Sequence, residues 1–192
     1  MENKILIFGH KNPDTDTICS SMVKQILNEK DGKTNTQAVR LGNVNKETQY
    51  VLDYLKIEAP ELIEGVKKGQ EVILDLNGYT LTGNIHDYGT LTIRSSKDGG
   101  QVVKGTKKQA SIYVGDSGNN IAGKLTLESG KIINADTGNA VYGIACFAGS
   151  TVIINGGEVI SLDATLSGNN TLGTMNFVIN GGTLTSKRGP AV

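Results

Sequence analysis

The spacing of apolar positions changes character once along this chain, near residue 70. Before that point, short unbroken apolar runs alternate with helical patterns. Residues 4–8, Lys-Ile-Leu-Ile-Phe, run apolar without alternation, which predicts a buried parallel strand. After Pro13, the residues Ile18, Met22, Val23, Ile26 and Leu27 recur at helical spacing and predict one apolar face. Asp14 and Asp16 stand at the start of that helix, where carboxylates satisfy free N–H groups and suit the helix dipole. Residues 38–41 read as a second strand. Asn45 then caps a second helix with Tyr50, Val51, Tyr54 and Leu55 on its inner face. Pro60 suits the first turn of a short third helix carrying Leu62, Ile63 and Val66, and residues 72–74 read as a third strand. Alternation of this kind predicts a parallel sheet with crossover helices.

Beyond residue 70 the pattern has period two and repeats. Comparable apolar strands start at Leu74, Leu91, Leu125, Val152 and Phe177, at spacings of 17, 34, 27 and 25 residues. Most are followed by a corner of Gly and Asn, residues that tolerate positive φ. One such unit cannot bury its apolar face alone, so the units are expected to stack. The expected fold class is therefore mixed: an incomplete α/β parallel-sheet segment over residues 1–70, then a right-handed parallel β-helix of roughly four or five coils over residues 71–192. This second part resembles the pectate-lyase-like β-helix modules of bacterial surface and adhesin-type proteins. Register is expected to set Glu128 beside Asn155 and Glu158 beside Lys131. The far end shows no amphipathic cap, which leaves three outcomes: the natural protein continues, a partner covers the end, or copies self-associate through the open β-helix end.

Composition sharpens the boundary. Five of the 25 glycines fall in residues 1–70 and the other twenty follow. The formal net charge is zero, which gives no basis for nucleic acid or an anionic membrane as partner. No apolar run approaches the roughly 20 residues of a membrane span. The N-terminus carries no signal-peptide pattern, so a cytoplasmic location is expected, or the cell surface if the β-helix governs and a signal is missing. Cys19 and Cys146 form no motif and are expected to be buried. Ser186-Lys187-Arg188 reads as a solvated basic cluster.

The chemistry lies in residues 9–16, Gly-His-Lys-Asn-Pro-Asp-Thr-Asp, at the C-terminal end of the first strand, where parallel sheets place ligands. His10, Asp14 and Asp16 offer one imidazole and two carboxylates, a set suited to a divalent ion of intermediate hardness. The stretch from Lys4 to Ser20 resembles the N-terminus of manganese-dependent (family II) inorganic pyrophosphatases of the DHH phosphoesterase superfamily. So do residues 39–42 (Val-Arg-Leu-Gly), 44–50 (Val-Asn-Lys-Glu-Thr-Gln-Tyr) and 58–62 (Glu-Ala-Pro-Glu-Leu).

The resemblance implies that His10, Asp14 and Asp16 are metal ligands for Mn²⁺, with Mg²⁺ as the alternative. It also implies pyrophosphate or phosphate as partner, and hydrolysis of pyrophosphate as the family reaction. This sequence departs from the family pattern: Asp75 falls one residue short of the family's bridging aspartate, and the Asp-His-His motif and the basic substrate domain have no counterpart. The expectation is weak metal binding and an incomplete, inactive site, with the catalytic residues unassigned. The alternatives are a structural or adhesive β-helix module with an α/β cap, binding surfaces or glycans, and a chimera, natural or constructed, without selected function.

Overall fold

The structure is a computed structural model and describes residues 4–63, 71–104, 109–169 and 173–192. The chain forms two compact units, Met1–Val72 and Ile73–Val192. No helix among the described residues is long and apolar enough to cross a membrane.

In the first unit, β1 (Ile5–Ile7) leads to α1 (Thr15–Lys30), β2 (Thr36–Arg40), α2 (Lys46–Leu55), β3 (Glu61–Leu62) and the beginning of β4 (Glu71–Asp75). The sheet order is β3-β2-β1-β4, all parallel, with Ile5 on Thr36, Leu6 on Val72 and Val39 on Glu61. Both helices begin where a short polar side chain can accept from the free N–H of the first turn: Asp14 Oδ1 from Thr17 N at 2.9 Å, and Asn45 Oδ1 from Thr48 N at 2.7 Å.

The helix faces differ from the expected ones. Ile18 is buried, but Val23, Ile26 and Leu27 are about half exposed. In α2 the buried positions are Thr48 and Leu52, whereas Tyr50 and Tyr54 lie outside and stack on each other at 6.4 Å. Periodicity identifies an apolar stripe; which stripe meets the sheet depends on how the helix is set down, and α2 is fixed at its start by Thr48, whose hydroxyl meets Thr15 Oγ1 at 3.0 Å. The short helix expected after Pro60 is replaced by β3 as far as Leu62; Val66 lies outside the described residues.

The second unit begins within β4 and continues with thirteen strands: β5 (Thr80–Thr82), β6 (Ile85–Asp87), β7 (Thr90–Arg94), β8 (Gln101–Val103), β9 (Ala110–Val114), β10 (Lys124–Leu127), β11 (Lys131–Ile133), β12 (Tyr142–Phe147), β13 (Thr151–Ile154), β14 (Glu158–Ser161), β15 (Leu166–Asn169), β16 (Asn176–Ile179) and β17 (Thr183–Ser186). They assort as β4-β7-β10-β13-β16, β5-β8-β11-β14-β17 and β6-β9-β12-β15.

This corrects the expected fold class of an incomplete α/β segment followed by a right-handed parallel β-helix. The described strands form three parallel sheets with two helices, an α/β-like arrangement, in place of the expected β-helix. The physical reason lies in what a repeat reports. Recurring strands pair like with like, but spacing fixes neither the hand of the connections nor the division of strands among sheets. Residues 71–75 show the ambiguity directly, since β4 pairs with β1 through Leu6 and Val72.

The core of this unit follows from the register. Leu91, Leu125, Val152 and Phe177 align across one sheet, as do Ile93, Leu127, Ile154 and Ile179. Leu81, Val102, Ile132, Val159 and Leu184 align across the second. Gly130, Gly157 and Gly182 occupy one corner of successive repeats at φ of 89°, 77° and 82°. A β-carbon at Gly157 would also overlap the Gly130 carbonyl, so conformation and stacking both require glycine there.

On the surface, Asn155 Nδ2 donates to Glu128 Oε1 at 2.9 Å and Lys131 pairs with Glu158 at 2.8 Å, the neighbours that register reasoning assigns. Arg188 is not a solvated tail residue. Its guanidinium donates twice to the Asp163 carboxylate, at 2.7 and 2.9 Å, and to the Gly138 carbonyl at 2.9 Å. That pairing, with the Val141 N–H, holds the Asp163 carboxyl below the usual range. Cys146 is buried, and burial pushes its thiol up to about 11; Cys19 is only half-buried.

Candidate metal centre

The loop between β1 and α1 carries His10 and Asp14 on a tightly held backbone. Gly42, just beyond β2, lies so close to this loop that a β-carbon there would overlap the Lys11 carbonyl oxygen and crowd Pro13. Arg40 pins the adjoining segments: its Nε donates to the Pro60 carbonyl at 2.9 Å and its Nη1 to the Gly42 carbonyl at 2.8 Å. An open depression of about 450 Å³ beside the loop is lined by Lys11, Asn12, Pro13, Leu41, Gly42, Asn43 and Asn45. His10 and Asp14 are not in its lining.

His10 Nε2 stands 3.6 Å from Asp14 Oδ1, and both side chains are more than half exposed. The Thr17 N–H, with the His10 ring beside it, holds the Asp14 carboxyl below its usual value. Asp14 thus caps α1 and faces an imidazole at once. Asp16 lies in the first turn of α1.

Two donors on one ion stand roughly 3–3.5 Å apart when each bond is about 2.1 Å, and the His10–Asp14 separation of 3.6 Å lies just beyond that span. A two-metal centre does not fit: among the described residues no group of three or more His, Cys, Asp or Glu side chains is gathered.

The remaining carboxylate noted in the sequence, Asp75, is committed within β4 and its surroundings. Partial burial pushes its pKa up, but N–H groups of Ser96 and Asn77, with Arg94 Nε at 3.1 Å, outweigh this and hold it low.

Sequence reasoning quoted Arg40 and Gly42 only as part of a resemblance and gave them no role. A glycine two residues beyond a strand end was the available signal; the carbonyl it makes room for is set by the fold. Gly42→Ala is expected to weaken divalent-metal binding roughly 10–100-fold, as loss of an outer-shell support does. Manganese titration of the variant checks this, with far-UV circular dichroism held unchanged.

Among the described residues no further His, Cys, Asp or Glu joins the imidazole and carboxylate of this loop. The curated relatives that the N-terminal part of this chain resembles are manganese-dependent inorganic pyrophosphatases. The manganese-dependent inorganic pyrophosphatase of Bacillus subtilis is 62% identical over 61 residues, 32% of this chain and 19% of that protein. The "probable manganese-dependent inorganic pyrophosphatase" of Oceanobacillus iheyensis is 61% identical over 71 residues, and that of Staphylococcus epidermidis 51% over 71, each 37% of this chain and 23% of the relative. The chain therefore spans less than a quarter of the length of these relatives. No family model matches it.

Proposed function

We propose that the first unit is a pyrophosphatase-like divalent-metal site that prefers Mn²⁺, binds it weakly, and does not hydrolyse pyrophosphate as this chain stands. The observation that carries the reading is the 62% identity to the Bacillus subtilis enzyme over a stretch of 61 residues. His10 and Asp14 are the pair that would hold the ion, with Asp16 in the first turn of α1 as the further carboxylate. A bound divalent cation supplies charge that neutralises phosphoryl oxygens, so pyrophosphate or phosphate is the expected ligand class. The inactivity follows from positioning. Phosphoryl transfer depends on fixed metals and oriented groups, and a two-ligand site leaves both loose.

Calorimetric titration with Mn²⁺ of the whole chain, beside a His10→Ala/Asp14→Ala variant, tests this reading. Binding in the wild type that disappears in the variant is expected, with phosphate release from pyrophosphate at background. Equal heats in both chains would remove the metal site, and turnover of about 1–10³ per second, typical of enzymes, would remove the inactivity.

A second reading concerns origin. The matched stretch of 71–74 residues is about as long as the first unit, which ends at Val72. This favours a chimera in which a pyrophosphatase-like segment was joined to a strand-rich one. Scanning calorimetry of the whole chain then shows two transitions, of which Mn²⁺ raises one; a single transition raised as a whole would count against independent parts.

A further inference from the structure

The corners of the second unit carry a reactive dipeptide. Asparagine is followed by glycine at Asn77-Gly78, Asn155-Gly156 and Asn180-Gly181. Each pair stands shortly after a strand of one sheet, β4, β13 and β16. Asn155 and Asn180 occupy equivalent places, since Ile154 pairs with Ile179 immediately before them. Glycine has no β-carbon, so its backbone nitrogen can approach the side-chain carbonyl carbon of a preceding asparagine closely. That nitrogen is loosely held at both of these corners. Gly156 N donates to the Leu127 carbonyl at 3.3 Å and Gly181 N to the Ile154 carbonyl at 3.2 Å. Each shares its acceptor with the shorter bond from the asparagine before it.

The three asparagines differ in how their amides are held. Asn155 is fixed at both ends: Nδ2 donates to Glu128 Oε1 at 2.9 Å, and Oδ1 accepts from Asn180 Nδ2 at 2.8 Å. Asn77 is half-buried, its Oδ1 accepts from Ser96 Oγ at 3.2 Å, and the Gly78 N–H is tied to Ser95 Oγ at 3.1 Å. Asn180 is exposed, and among the described residues its amide has the Asn155 bond alone. Losing that one bond frees its side chain to turn toward Gly181.

We propose that Asn180 is a site of spontaneous deamidation in the folded chain, with water as the co-reactant. The Gly181 nitrogen gives its proton to hydroxide and attacks Asn180 Cγ. The new N–Cγ bond forms, the Cγ–Nδ2 bond breaks, and ammonia leaves with a proton taken from water, which regenerates hydroxide. Water then adds to either carbonyl of the cyclic imide and opens it to aspartate or isoaspartate. Nothing is oxidised or reduced. The product carboxylate has no N–H to donate, so Asn155 Oδ1 loses its partner. Asn180 therefore guards Asn155 until it is itself converted. Conversion of Asn155 in turn sets a carboxylate beside Glu128, a like-charge pair across neighbouring strands that weakens the stack.

Timed incubation of the folded whole chain in mildly alkaline buffer tests the proposal, beside the same chain unfolded in urea. Cleavage after glutamate separates residues 72–128, 129–158 and 159–192, which hold one Asn-Gly pair each. Tandem mass spectrometry then places the mass gain of amide-to-acid exchange. In urea the three asparagines are expected to convert at comparable rates. In the folded chain Asn180 is expected to convert several-fold faster than Asn155 and Asn77. Asn180→Asp, which carries the product's charge from the start, is expected to speed conversion of Asn155 several-fold over wild type, with unchanged far-UV circular dichroism. An Asn180 that stays intact in the folded chain while the unfolded chain converts would overturn the proposal. So would an Asn155 that keeps pace with it, and an unchanged Asn155 rate in Asn180→Asp would remove the guard.

Discussion

Replacing Asp87 by Asn raises the stability of the chain above about pH 7 and leaves it unchanged below about pH 4. Asp87 ends β6 with only 5% of its surface exposed. One carboxylate oxygen accepts the Gly89 N–H at 3.0 Å; the other is buried with no hydrogen-bond partner among the described residues. Burial pushes its pKa up to about 6, against the opposing pull of the Gly89 N–H. In the unfolded chain the group ionises near its ordinary value of 3.8. Between these two values the folded protein retains a proton that the unfolded chain has released. Stability therefore falls as pH rises through that window and levels off above it.

The shift of about two units corresponds to roughly 3 kcal/mol as an upper bound. Asn keeps the bond to Gly89 and carries no charge, so it removes most of that loss. Urea unfolding of both chains across the pH range checks the prediction: the two curves are expected to coincide in acid, diverge between about pH 4 and pH 6, and keep a constant gap above that. Parallel curves at all pH values would show that Asp87 is ionised in the fold without cost.

The second large effect is in the apolar columns. Leu127→Ala is expected to destabilise the chain by about 2–5 kcal/mol, the range for emptying a closed site in a packed core. Leu127 is fully buried between Ile93 and Ile154, and its side chain also lies against the Gly157 corner, so neighbours cannot easily collapse into the gap. The same truncation at Ile179, one strand beyond Ile154 in the same column, removes a side chain that is half in water and is expected to cost less than about half as much. The ratio of the two effects, read from denaturation midpoints at low protein concentration, measures how far the stack is closed at β16. Equal costs would mean that Ile179 is covered in solution.

Several features follow from local chemistry and were legible in the residues. Asp14 and Asn45 start α1 and α2 because each can accept an N–H that the first turn leaves free. The five recurring starts from Leu74 to Phe177 mark strands that now lie in one sheet, and the neighbours Glu128–Asn155 and Lys131–Glu158 follow from their register. The loop that brings His10 to Asp14 was also visible, since only four residues separate them between the end of β1 and the start of α1.

Other features depend on which surfaces meet, and no local pattern states that. Tyr50 and Tyr54 satisfy a helical stripe as well as Leu52 does, yet of the three only Leu52 is buried. Asp87 alternates with His86 and Tyr88 like any strand residue, and its unpaired oxygen arises only from the packing around it. Arg40 and Gly42 hold the candidate metal loop through carbonyls from two different segments. By itself the sequence determined the local elements, their caps and the in-register recurrence of strands, because these rest on contacts within a few residues or on a repeated pattern. Only the tertiary structure decided the partition into three parallel sheets, the buried helix faces and the lack, among the described residues, of a third metal-ligating side chain gathered beside His10 and Asp14. Those outcomes are set by contacts between segments far apart in the chain, where the free energies of competing arrangements differ by less than any single residue reveals.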